Sequence, residues 1–219
     1  PTFATANPAT ASWSMPGLEV TEITLPVPLD HAATSSATIP LFARIYSRPD
    51  GADLPYLVYL QGGPGFEAHC SVGPDTPPWL ARALQEHRVV MLDQRGTGRS
   101  AAVGLDNTLP EGAIPAVGTA AAPTILREAT PAQQAEYLTH FRADSIVRDA
   151  ELLREHLGVD SWSLLGQSFG GFTTLCYLSA ASGSLSKALF TGGLPAIATD
   201  MTTVYLSLIH ISEPTRPRL

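Results

Sequence analysis

Ser168 stands at the centre of Gly166-Gln-Ser-Phe-Gly170, between the apolar run Trp162–Leu165 and a helix-like run from Phe169 to Ala181. A serine hydroxyl attacks a carbonyl only where a tight turn projects it clear of its neighbours. Small residues two positions before and after it let a strand and a helix pass close together. Gly166 and Gly170 hold those two positions. The helix N-terminus behind the serine favours negative charge developing on a substrate oxygen. The spacing therefore reads as a nucleophile elbow. A five-residue pattern is weak alone, so its weight rests on the rest of the chain.

A second stretch complements it. Pro55-Tyr-Leu-Val-Tyr-Leu60 is a continuous apolar run, as expected of a strand covered on both faces, and it leads into Gln61-Gly-Gly-Pro-Gly65. In a parallel sheet the carboxyl ends of the strands share one edge, where sites form. Glycine tolerates positive φ and close approach, so an amide of Gly62 or Gly63 can turn toward a ligand. Paired with the amide of Phe169, it can bind a tetrahedral oxyanion. The competing readings are a plain glycine turn or a phosphate loop. Against the latter, Gly-x-Gly-x-x-Gly is absent, Pro64 removes an amide, and no Gly-Lys-Ser/Thr follows. A third stretch, Asp93-Gln-Arg-Gly-Thr-Gly-Arg-Ser100, follows the buried-type run Val89–Leu92. Asp93 and Arg95 are expected to pair locally and brace this loop, a supporting rather than catalytic role.

These loops need a scaffold. Leu18–Leu29 and Ile39–Tyr46 read as an antiparallel pair joined by the turn-rich Asp30–Ser36, with Pro26, Pro28 and Pro40 marking edge positions. Trp79–Glu86 reads as a short helix, and residues 101–129, rich in Ala, Gly and Pro, as a long excursion. Thr130-Pro-Ala-Gln133 carries a capping-box signature with proline at the first helical position. Leu138, Phe141, Ile146, Ala150, Leu153 and Leu157 then recur at helical spacing, with a break expected near Asp144 and a stop at Gly158. Ser161–Leu165 and Lys187–Thr191 complete the strands. Alternation after the first hairpin predicts an α/β fold, a mostly parallel sheet with helices on both faces.

Bulk properties bound the function. At 219 residues, 44% hydrophobic and 15% charged, the chain suits a single globular domain or part of a larger one. A formal charge of −7 argues against a nucleic-acid surface and offers no basic membrane patch. No apolar run approaches the ~18 residues of a membrane span, and no leader is read at the N-terminus, which opens on Pro1. Cys70 and Cys176 make no metal or redox spacing and read as free thiols of a reducing, cytoplasmic compartment. No metal or cofactor is expected.

Five blocks in one order now carry a resemblance: Gln61-Gly-Gly-Pro-Gly-Phe-Glu67, Asp93–Ser100, Phe141-Arg-Ala-Asp-Ser-Ile-Val-Arg-Asp-Ala-Glu151, Gly166-Gln-Ser-Phe-Gly-Gly171 and Thr191-Gly-Gly-Leu-Pro195. Over residues 18–204 the chain resembles the proline iminopeptidases (prolyl aminopeptidases), serine peptidases of the α/β-hydrolase fold. The resemblance implies release of an N-terminal residue, typically proline, from a peptide with a free N-terminus. Ser168 would be the nucleophile, Gly63 and Phe169 the oxyanion donors, and Gly62, Gly65, Gly166, Gly170, Asp93 and Arg95 their support. That family has histidine where this chain has Gln61; the donors are backbone amides, so the hole is expected to survive while its support changes.

The same resemblance implies partners that the sequence does not supply. The family places a cap with amine-binding acidic residues after the strand ending near Thr191, then the triad acid and histidine in that order. After Ser168 come only Asp200, too early for the acid, and His210. Residues 206–216, Leu206-Ser-Leu-Ile-His-Ile-Ser-Glu-Pro-Thr-Arg216, resemble a translated sequencing-library adapter. Residues 1–205 are thus expected to be the N-terminal part of a hydrolase domain and 206–219 a non-native tail. Cap, last strands and triad partners would then be missing, the sheet edge beyond Lys187–Thr191 open, and the chain as given inactive. His31, His69, His87, His140 and His156 are expected to be surface or loop residues, with His69 nearest the proposed hole. Two further readings stay open: a hydrolase of the same fold acting on esters, amides or lactones, and a non-catalytic binding member of the fold.

Overall fold

The structure, a computed structural model, describes residues 8–33, 36–118 and 121–193. The expectations for the cap, Leu194, Pro195 and the 206–219 tail fall outside these residues.

Among the described residues seven strands form one sheet in the order β1-β2-β3-β5-β4-β6-β7. They are β1 Ala9–Met15, β2 Leu18–Pro28, β3 Thr38–Ser47, β4 Tyr56–Leu60, β5 Arg88–Asp93, β6 Trp162–Gln167 and β7 Leu185–Thr191. β1, β2, β3 and β5 pair antiparallel in succession. β5, β4, β6 and β7 pair parallel. The helices are α1 Leu80–Ala83, α2 Pro131–Leu138, α3 Ala143–His156 and α4 Phe169–Ala180.

Side chains of a central strand alternate between faces, so each feeds two cores. On β5, Val89 and Met91 join Tyr59, Leu80 and Leu84 on the α1 face. Val90 and Leu92 join Val58, Leu60, Val147, Ala150 and Tyr177 on the face covered by α3 and α4. Helices thus lie on both faces of an α/β fold, as the alternation predicts, but the sheet is mixed rather than mostly parallel. Among the described residues three pairings are antiparallel and three parallel, because β1 extends the N-terminal hairpin and β3 pairs antiparallel with β5. β7 is the last strand among the described residues, and Leu189 and Phe190 on it are exposed.

β1 is the strand that sequence reading misses. Its side chains are exposed apart from half-buried Met15, so no core periodicity marks it. The signal present was Pro16-Gly17, a two-residue turn with Gly17 at φ 79° that brings Met15 opposite Leu18.

The prolines of β2 and β3 have a related explanation. Pro26 faces Pro40, and β1 stops short of that level, at Ala9 opposite Thr24. The β3–β5 ladder starts beyond it, at Phe42. Among the described residues both strands are therefore locally unpaired on their outer sides, where a missing N–H removes no ladder bond.

α2 begins as its capping box predicts: Gln133 N donates to Thr130 Oγ1 at 3.3 Å, and Thr130 N to Gln133 Oε1 at 2.9 Å. The helical run breaks at Arg142, whose backbone is extended (φ −99°, ψ 169°), two residues before the expected point.

The first turn of α4 packs directly against the carboxyl end of β4, and this requires glycine at position 170. A Cβ there would sit inside the Leu60 carbonyl oxygen, and one at Gly166 inside the Gly170 carbonyl and Thr174 Oγ1. Backbone cannot yield as a flexible side chain does, so strand and helix would have to separate. Gly170→Ala is expected to destabilise the chain by more than about 4 kcal/mol, read as loss of the cooperative urea transition. A change below 1 kcal/mol would contradict this packing.

Candidate active site

β6 ends at Gln167, and the chain reverses into α4 through Ser168. Ser168 has φ 54° and ψ −116°, a strained conformation for a residue with a Cβ. Three backbone hydrogen bonds hold it there. Its N–H donates to the carbonyl of Thr191 at the end of β7 (2.7 Å), and its carbonyl accepts from the amides of Gly171 (2.9 Å) and Phe172 (3.2 Å). The residue is exposed, and among the described residues no side chain hydrogen-bonds its hydroxyl. The turn thus presents a serine Oγ to solvent at the N-terminus of a helix, where the amide of Phe169 has no intrahelical acceptor.

The loop after β4 lies directly against this turn. A Cβ on Gly62 would come within 3.0 Å of the Ser168 Cβ and of the Gln167 carbonyl oxygen. The missing side chain is what lets the loop touch the elbow. Gly63 and Gly65 have φ 117° and 118°, conformations only glycine adopts without strain. The amides of Gly63 and Phe169 have no protein acceptor among the described residues. Ser168, Phe169, Gly62, Gly63, Gly65, Gly166 and Gly170 are therefore gathered at one place, the carboxyl edge of β4 and β6. Tyr59 adds a brace, its hydroxyl donating to Gln167 Oε1 at 2.7 Å.

Asp93 and Arg95 do not form the expected local pair. They point to opposite faces of the sheet, because Asp93 continues the Val89, Met91 side of β5. Its carboxylate accepts from the amides of Ala68 (3.0 Å) and Arg99 (2.9 Å), each oxygen taking one. Burial raises its pKa above the ordinary carboxylate range, with the two amides acting against that rise. Arg95 reaches the other face and forks onto Asp149 of α3, Nε to Oδ2 at 2.6 Å and Nη2 to Oδ1 at 2.5 Å. Both side chains are fully buried. Arg95 also donates to the carbonyls of Pro28, Leu29 and His140. One guanidinium thus ties the β2–β3 turn, the loop after β5 and the start of α3 together.

His31 is a loop residue, as expected, but not a surface one: its side chain is 8% exposed, and Nε2 lies 2.8 Å from both Asp149 Oδ1 and Arg95 Nη2. Asp149 was missed altogether. The signal for it was a carboxylate at helical spacing from Ile146 and Leu153, on the stripe that faces the core, where a charge must find a partner. His69 is exposed, as expected of a loop residue.

A groove of about 590 Å³ opens beside the elbow, walled by Pro64, Phe141, Phe169 and Phe172, with Asp144 and Cys176 also lining it. Desolvation raises the Cys176 thiol pKa, and the charge of Asp144 adds to the rise. Among the described residues no cluster of three or more His, Cys, Asp or Glu side chains could hold a metal ion.

An exposed serine on a strained strand-to-helix turn, with free amides on two neighbouring segments, has the geometry for acyl transfer with a stabilised oxyanion, provided that a general base is supplied to it. Fold and site define an α/β hydrolase. The alpha/beta hydrolase fold family matches residues 55–207, and the chain belongs to it. Within known proteins it is 48% identical over 187 residues to a proline iminopeptidase of Aeromonas sobria, a match covering 82% of this chain and 38% of that protein. It is 37% identical over 180 residues to a proline iminopeptidase of Aspergillus aculeatus, covering 76% and 35%. A solved structure of a proline iminopeptidase-related protein from Thermus thermophilus shares 25% identity at a TM-score of 0.48, over 79% of this chain and 45% of that one. The chain therefore spans well under half the length of these relatives.

Holding Ser168 at positive φ costs about 1–3 kcal/mol, and a glycine would remove the strain. Ser168→Gly is expected to raise unfolding stability by about 1 kcal/mol once the extra freedom of glycine in the unfolded chain is subtracted. Urea denaturation checks this; a loss of stability would mean that the turn is unstrained or that the hydroxyl has a structural bond.

Proposed function

We propose that the complete protein is a serine aminopeptidase that releases N-terminal proline from peptides through an acyl-enzyme on Ser168. The observation that carries the reading is the elbow itself, with the amides of Gly63 and Phe169 on either side of an exposed Oγ. The similarity to two curated proline iminopeptidases supports the substrate class. In this reading Oγ attacks the prolyl carbonyl, its proton passing to a histidine base. The oxyanion is held by the two amides, the departing amine takes the proton, and water then cleaves the ester. The histidine and its orienting acid, and the acidic groups for the substrate amine, belong to the length that the relatives have beyond this chain. Without a base Ser168 is an ordinary alcohol, so residues 1–205 alone would have little activity. Residues 206–219 are proposed to be foreign to the domain. Free Cys70 and Cys176 fit a reducing, cytoplasmic compartment.

One observation favours a second reading. The groove beside the elbow is mostly apolar and, at about 590 Å³, roomier than a pyrrolidine ring needs, with Asp144 as its one carboxylate among the described residues. An ester or larger acyl group would suit it. The two readings separate in one assay series on a protein extended to the length of its relatives. Prolyl-β-naphthylamide should be cleaved far better than its N-acylated form or a p-nitrophenyl ester, and Ser168→Ala should lower the rate by more than about a thousandfold with the fold intact. Preference for the ester would overturn the peptidase assignment. Activity surviving the substitution would overturn the nucleophile.

A further inference from the structure

We propose that Gln94 is the positioning residue of the oxyanion loop: its side-chain amide fixes the Gln61 carbonyl and thereby aims the amide of Gly63 at Ser168. This rests on the hydrolase reading of the elbow but not on the choice of substrate. Gln94 is 4% exposed, in the loop after β5. Its Nε2 donates to the carbonyl oxygen of Gln61 at 2.7 Å. A carbonyl only accepts, so only the NH₂ end of the side chain can face it. The Gln94 backbone is itself pinned, its carbonyl accepting from Thr97 N (3.0 Å) and Thr97 Oγ1 (2.7 Å). The anchor is therefore rigid, and what it anchors is the first residue of the loop. One residue on, Gly62 lies so near the elbow that a Cβ there would come within 3.0 Å of Ser168 Cβ; two residues on, Gly63 turns to positive φ.

The other end of the amide decides what the residue is for. Gln94 Oε1 is buried with no hydrogen-bond partner among the described residues. A buried acceptor left unpaired opposes folding by about as much as the single bond to Gln61 favours it. An apolar side chain of similar shape would serve folding equally well. What such a side chain could not do is hold the Gln61 carbonyl, and with it the direction of the following peptide units. Catalysis by a preorganised donor is sensitive to that direction, since displacement on the order of 1 Å can cost about a hundredfold in rate.

Two substitutions test this. Gln94→Met removes both the donor and the unpaired acceptor; Gln94→Glu removes the donor at neutral pH but restores one when the carboxyl is protonated. On the 219-residue chain, hydrogen exchange by mass spectrometry should show the 61–68 segment of Gln94→Met exchanging about tenfold faster or more, with β4 and the urea midpoint unchanged. In the protein extended to its relatives' length, kcat should fall about 10- to 100-fold with KM nearly constant. The ratio of Gln94→Glu to parent should rise as pH falls, because the protonated carboxyl donates to Gln61 again. The ratios are read on whichever substrate the parent cleaves, amide or ester, so an error in substrate class leaves this test standing. Parent-like exchange in Gln94→Met would overturn the proposal, and so would unchanged kcat or a Gln94→Glu deficit that is the same at every pH.

Discussion

The molecule depends on one close approach. The carboxyl end of β4 and the first turn of α4 share a space that admits no side chain, and Gly170 against the Leu60 carbonyl is where it is tightest. That approach lets β6 turn into a helix with no intervening loop. It also forces Ser168 into a strained conformation and brings the Gln61–Gly65 loop into contact with it. The strain at Ser168 itself is held by ordinary backbone bonds, including one from Ser168 N to β7.

The polar residues behind the edge divide the labour by face. Odd-numbered positions at the end of β5 lead Asp93 toward Ala68 and Arg99, stitching the extension of the loop after β4 to the loop after β5. Arg95 turns to the opposite face and gathers Asp149, His31 and three carbonyls into one buried cluster. Removing one partner from such a cluster leaves an uncompensated buried charge, a loss of about 3–5 kcal/mol. The cluster fixes the start of α3, and the first residues of α3 line the groove beside Ser168.

How much of this the sequence discloses follows from how locally each feature is determined. β4, β5 and β6 are apolar runs that can only be covered strands, and the glycines around Ser168 are demanded by a motif five residues long. The Thr130 cap is equally local. What escaped reading depends on partners distant in the chain. β1 exists because β2 offers it a ladder, not because its own side chains are buried. Arg95 looked like the partner of Asp93 two residues away, yet its carboxylate lies 54 positions on. His31 is buried by the same long-range assembly. Sequence spacing marks the elbow serine; it does not show which charges the folded chain brings together.

The role proposed for this edge is to make Ser168 the nucleophile of a hydrolase. The most direct measurement is to treat the protein, extended to its relatives' length, with an organophosphonate that forms a covalent bond to an activated serine, and to map the adduct by mass spectrometry. A single adduct is expected on the peptide containing Ser168, formed in step with loss of hydrolysis and absent from Ser168→Ala. Full inactivation with the adduct on another residue, or hydrolysis persisting with Ser168 fully modified, would contradict it.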